Sequence, residues 1–139
     1  MSDFHALFTG RLWSVMSWEQ LDAFWKRIDP AAGWYVYAVG EMPPSNAASA
    51  EAVDAFIAQI DALLRKEHHH DYCGIVYADN LDAPGFVKIF DPNNLGVSCG
   101  FSDNPPLPGW ILCKVPPEDL KPAGPLPEGR KRWWRALFG

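Results

Sequence analysis

The amino-acid sequence predicts a single α+β domain in which two helices pack on one face of a mainly antiparallel sheet of about five strands. Two segments repeat apolar residues at helical spacing, and five short segments are rich in β-branched and aromatic residues. Short gaps with many turn-forming residues separate the last four of these segments, which favours antiparallel neighbours. The length of 139 residues, with 48% of them hydrophobic, suits one core.

The first clear helix begins after Ser17. The preceding segment is ambiguous: residues 4–8 could form a helical turn, and residues 12–16 could be extended. Ser17 and Gln20 have the spacing of a capping box, in which each side chain accepts a hydrogen bond from the backbone of the other residue. Asp29-Pro30 ends the helix. Its predicted apolar face consists of Leu21, Phe24, Trp25 and Ile28.

A strand and a longer helix follow. Residues 34–39 are dense in aromatic and β-branched residues and lie between glycines, which predicts a strand. The helix begins near Ala47, with acidic residues near its start and with Arg65, Lys66 and the histidines at 68–70 at its end. A βαβ unit made with the next strand would add one parallel pair to the sheet. The apolar stripe of this helix consists of Val53, Phe56, Ile57, Ile60, Leu63 and Leu64.

Four extended segments complete the predicted sheet, and a proline-rich extension follows them. The segments are residues 72–78, 86–90, 97–99 and 110–115. The turn that begins at Asp91 lacks the ligand spacing of a calcium loop.

The sequence after the last strand divides the chain into three parts. Residues 1–116 form the globular α+β domain, residues 117–129 a proline-rich semi-rigid spacer, and residues 130–139 a basic aromatic tail.

The tail carries the strongest functional signal in the sequence. It holds four basic residues and no acidic one, leaving 8 Lys and Arg against 17 Asp and Glu in the rest of the chain. Such a segment is expected to dock on an acidic and apolar surface: its own body, a protein partner or an anionic membrane surface. Ten residues are too few for a stable helix alone in water, so docking would order the tail. The candidate partner-binding residues are Arg130, Arg132, Trp133, Trp134, Leu137 and Phe138.

Two further groups of residues are candidates for a site. Phe86, Lys88 and Phe90 alternate along one strand and predict a half-exposed aromatic sheet face that could bind a peptide or the tail. The run of residues 67–73 concentrates the ligand types of zinc and copper. A helix C-terminal cap with solvent-facing imidazoles is the simpler interpretation of that run. The candidate metal ligands are His68, His70, Asp71 and Cys73.

The three cysteines alternate with apolar neighbours and are expected to be inert core residues. The alternative for Cys73 is a nucleophile that pairs with one of the histidines at 68–70. Their odd number argues against a disulfide framework. The first residues do not resemble a signal peptide, and no stretch reaches the roughly 18 apolar residues of a membrane span. A cytoplasmic location is therefore expected. Nucleic acid is a poor partner for so acidic a body.

We therefore expect a small cytosolic protein–protein interaction or accessory module that binds a protein partner or a second copy of itself. The aromatic sheet face and the basic tail are its predicted surfaces, and no cofactor is expected. No motif indicates an enzyme. The alternative is a metal- or thiol-dependent site, with zinc or copper held by the residues between His68 and Cys73.

Overall fold

The computed structural model describes residues 3–92, 107–120 and 128–138, and it confirms the predicted α+β class. The predicted strand at 97–99 lies outside the described residues. Four helices and five strands are described, in this order: α1 Asp3–Phe8, β1 Trp13–Val15, α2 Trp18–Lys26, β2 Tyr35–Ala38, α3 Ala50–Glu67, β3 Val76–Ala78, β4 Phe86–Ile89, β5 Trp110–Cys113 and α4 Glu128–Phe138.

The sheet has the strand order β1-β3-β4-β5-β2, and each neighbouring pair is antiparallel. The predicted βαβ unit is wrong, because the three antiparallel pairings that link β2 to β3 through β5 and β4 make β2 and β3 run in opposite directions. The long helix α3 therefore connects the edge strand β2 to β3, which lies next to the opposite edge strand β1. Residues 12–16, which were ambiguous in the sequence, supply the other edge strand, β1.

Local side-chain hydrogen bonds fix the starts of the two main helices. The predicted capping box is present: Ser17 Oγ accepts from the Gln20 amide at 3.0 Å, and Gln20 Oε1 accepts from the Ser17 amide at 3.1 Å. The longer helix α3 begins slightly later than predicted, because Ser49 is its N-cap and accepts from the Ala52 amide at 3.1 Å.

Apolar side chains cover both faces of the sheet. On one face, buried residues of α2 and α3 such as Phe24 and Phe56 pack with Val87 and Ile89 of β4. On the other face, Phe4 of α1 packs with a smaller cluster. This cluster also contains Tyr37, Val39, Phe86, Ile111 and Cys113.

None of the helices in the described ranges is long and apolar enough to cross a membrane.

Candidate functional site

The C-terminal helix α4 lies on the body of its own chain, which is the first of the three docking alternatives that the sequence left open. Trp133 and Trp134 both contact the buried Phe56 of α3, with ring centroids 6.3 and 6.4 Å apart in edge-on geometry. The Trp133 ring also lies 5.4 Å from that of Trp110 in β5. Because α4 has only 11 residues, this packing stabilises it more than its own propensity does.

An ion-pair cluster fixes the start of α4. The Arg130 guanidinium donates two hydrogen bonds to Asp91, at 2.7 and 2.9 Å, and two to Glu67, both at 3.1 Å. Only 16% of the Arg130 side chain is exposed, so water replaces little of this bonding. The hydrogen bonds to Asp91, and then those to Glu67, raise the pKa of Arg130 although burial opposes the rise. Arg130 therefore joins α4 to the end of α3 and to the loop after β4.

The acidic partners of Arg130 were not among the residues that the sequence singled out. The charge imbalance indicated an acidic body but could not select two carboxylates among 17 acidic residues. Glu67 lies 63 residues and Asp91 lies 39 residues before Arg130 in the chain. Their convergence is a product of the fold, since it requires the end of α3, the end of β4 and the tail to meet.

The solvent-facing side of α4 is basic and partly apolar. The docked residues recur at helical spacing from Arg130 to Leu137, so the intervening Arg132 and Arg135 are exposed. Phe138 is 37% exposed and lies against the Trp134 ring at 4.3 Å. We call Arg132, Arg135 and Phe138 the outer surface of α4; Phe138 forms its border with the docked side, because its ring also lies 6.4 Å from that of Phe56. Unlike Arg130, the two arginines project from an otherwise acidic protein into solvent.

The predicted aromatic sheet face is not half-exposed. Phe86 is 0% exposed because α1 covers it, with the Phe4 ring 5.8 Å away. The Lys88 ammonium lies 3.7 Å from the centre of the Phe8 ring, and burial lowers its pKa. Phe90 is partly buried: it packs against the larger core cluster, and its ring lies 5.6 Å from that of Tyr77. The ambiguous residues at the N-terminus therefore form the helix that occupies this surface, and α4 packs on the other side of the sheet.

A second exposed apolar group, which the sequence did not indicate, lies at the β1 edge of the sheet. Trp13 is 47% exposed and Met16 is 53% exposed, while the Arg11 guanidinium stacks 5.4 Å from the centre of the indole. The Met16 carbonyl accepts from the Cys73 amide at 2.8 Å, which places the 52% exposed Tyr72 near this edge. Aromatic residues on an edge strand form a competing candidate surface.

The histidine run adopts a defined structure at the end of α3. His68 is the C-cap, and its backbone amide donates to the Leu64 carbonyl at 2.9 Å. Its side chain is buried rather than solvent-facing, with Nε2 2.8 Å from the Cys73 carbonyl oxygen. His69 and His70 are exposed, as the cap interpretation predicts. The run borders an open depression of about 400 Å³ lined by Trp18, Arg65, His68, His69, His70 and Asp71.

The described cysteines have the environment of core residues. Cys73 and Cys113 are both 0% exposed, and burial raises the pKa of each thiol, that of Cys113 to about 12. A raised pKa opposes the thiolate that a nucleophile or a metal ligand requires. Cys99 lies outside the described residues. Within the described ranges, no three His, Cys, Asp or Glu side chains are placed to hold one metal ion together.

Comparisons of the chain with protein-family models, with curated proteins and with solved structures find no match. Its function must therefore be inferred from its own residues. Two arrangements are concrete enough to support an inference: the outer surface of α4, and the histidines at the end of α3.

Proposed function

We propose that this protein is a small protein-interaction module that uses the outer surface of α4 to bind an acidic, partly apolar surface of a partner protein. The observation that carries the proposal is the division of α4 into two sides. Arg130 and the two indoles anchor its inner side, while Arg132, Arg135 and Phe138 remain accessible. Arg132 and Arg135 are therefore accessible to an acidic surface of a partner.

The physical properties of this surface suit recognition. A helix that is already docked loses less conformational entropy on binding than a free tail would. Arginine and aromatic residues are enriched among the residues that dominate interface energies. Basic residues also steer an acidic partner during encounter and disfavour basic ones. Phe86 and Lys88 are not part of the proposed surface, because α1 lies over them. The expected cytoplasmic location stays a prediction.

Charge reversal on α4 tests the proposal without removing the helix. Arg132→Glu and Arg135→Glu change exposed side chains and leave Arg130 and both indoles in place. Lys26→Glu is the matched control, because Lys26 and Arg135 are exposed basic residues in the last turns of α2 and α4. Lys26→Glu makes the same charge change as Arg135→Glu at the same kind of helix position. These two variants therefore lose a similar interaction with the helix dipole.

The measurement is quantitative mass spectrometry of proteins that co-purify from extracts of the source cells, with thermal melting to verify folding. We expect proteins that the wild type and Lys26→Glu retain to be lost from both α4 variants. Equal loss with Lys26→Glu would overturn the proposal, as would loss with Trp13→Ala but not with the α4 variants. Binding only to anionic lipid vesicles would indicate a membrane surface instead. Light scattering of the purified variants tests whether the partner is a second copy.

A further inference from the structure

The end of α3 favours a bound cation. The carbonyl groups of the last helical turn give this end of the helix a partial negative charge. His68 caps it and is held in place, with 6% of its surface exposed. Arg65 also lines the depression, but its guanidinium is paired with Asp22 at 2.7 Å and with Asp61 at 3.0 Å. Its charge is therefore largely compensated.

The hydrogen bond of His68 determines which ring nitrogen can bind a ligand. A carbonyl oxygen only accepts hydrogen bonds, so the 2.8 Å contact between Nε2 and the Cys73 carbonyl places the proton of a neutral ring on Nε2. Nδ1 then carries the lone pair. Histidines that bind metals commonly donate their other N–H to a backbone carbonyl, which fixes the ring. His68 has this arrangement.

The His68 and His70 rings lie close together, and the His70 ring also stacks on that of Tyr72 at 5.2 Å. The centres of the His68 and His70 rings are 4.7 Å apart. Two imidazoles bound to one zinc ion have ring centres about 5 Å apart, given Zn–N bonds of about 2.0–2.1 Å. Consecutive histidines of a helix would diverge, but this segment leaves the helix at His68. The Trp18 indole fixes the position of His70 by donating to its carbonyl at 3.1 Å.

We propose that His68 and His70 form a two-histidine site for a divalent transition metal of the zinc and copper class. Asp71 lines the same depression but forms no three-ligand group with the two histidines, so water completes the coordination. Cys73 is not a ligand, because its thiol lies in the core while its carbonyl orients His68. The site is independent of the α4 surface, from which it differs in residues and in ligand chemistry.

Calorimetric titration of the full chain without a histidine tag tests the site, with zinc or copper ions as the only ligand. We expect one ion per chain and at least about tenfold weaker binding for His70→Ala, because the second ligand of a chelate is lost. His69→Ala is the matched control. It removes an exposed histidine from the same run, and we expect its affinity to stay within about twofold of wild type. We expect the same of Cys73→Ser.

X-ray absorption of the zinc-loaded wild type supplies a second measurement that does not depend on the folding of variants. We expect a nitrogen and oxygen shell with two imidazoles and no zinc–sulfur distance near 2.3 Å. A zinc–sulfur shell, or loss of binding in Cys73→Ser, would show a thiolate site instead. Absence of stoichiometric binding would overturn the proposal. Equal weakening by His69→Ala and His70→Ala would do the same, because it would indicate adventitious binding by the histidine run.

Discussion

Replacing Arg130 by alanine tests whether the ion-pair cluster fixes α4 to the body. The substitution removes four hydrogen bonds and takes the guanidinium charge away from two carboxylates. The Asp91 side chain is 12% exposed and that of Glu67 is 24% exposed, so neither is freely hydrated in the folded state. We therefore expect Arg130→Ala to lower the free energy of unfolding.

The size of the effect follows from this burial. Removing one partner of a fully buried ion pair costs about 3–5 kcal/mol, because the remaining charge stays buried. Glu67 can regain part of its hydration here, so we expect about 2–3 kcal/mol for Arg130→Ala. Arg132→Ala, in the same helix but exposed, should change stability by less than about 0.5 kcal/mol. Arg130→Lys should fall between them, since one ammonium cannot reproduce two bidentate pairs.

Urea unfolding of the three variants measures these differences. A loss of about 2–3 kcal/mol lowers the urea midpoint by roughly 0.7–3 M for a slope of about 1–3 kcal/mol per M. A double-mutant cycle with Asp91→Ala should show that the second substitution costs less than the first, because both remove the same contact. If Arg130→Ala were no more destabilising than Arg132→Ala, the ion-pair cluster would not fix α4 to the body. In that case the indoles alone would hold α4.

Two further predictions concern the core. The pKa of Cys113 is raised from 9.0 to about 12, so the folded protein keeps a proton that the unfolded chain loses. The stability from this thiol is complete below pH 9 and should fall by about 1.4 kcal/mol per pH unit between those two values. The free energy of unfolding of Cys113→Ala should fall less steeply over this pH range than that of the wild type. Urea unfolding of both proteins at several alkaline pH values measures this, and equal pH dependence of the two would show that the thiol is exposed. Phe86→Ala should cost about 3–5 kcal/mol in urea unfolding, as for a core aromatic. The partly buried Phe90 should cost clearly less when changed to alanine, and a Phe86 effect below that of Phe90 would contradict the cover provided by α1.

The helices could be predicted because their signals are local. Ser17 and Gln20 are three residues apart and form the capping box that their spacing indicates. The buried residues of α3 are five of the six in its predicted apolar stripe. Periodicity identifies a helix and its inner face without knowledge of the rest of the fold. The errors therefore lie where partners are distant in sequence.

The position of the sheet faces could not be predicted in the same way. Alternation along β4 correctly separated Phe86 from Val87, but it did not show what covers each side. The short α1 helix lies far away in sequence, and its Phe4 covers Phe86. Likewise, the predicted parallel pair failed because strand order depends on the whole sheet. No sequence signal near β2 or β5 indicated that these two strands pair.

The docking of α4 on its own body does not decide whether the helix only covers apolar residues of the body or also binds a partner. The two roles use different sides of the helix. Deleting α4 would expose Phe56 and Trp110 and would remove Arg130 from Asp91 and Glu67, so loss of binding could follow from loss of folding. Arg135→Glu alters only the outer side. A helix that served solely as cover would tolerate this change, since an exposed charge contributes little to stability. Binding that Arg135→Glu removes while the melting temperature stays constant can therefore be assigned to the outer surface itself.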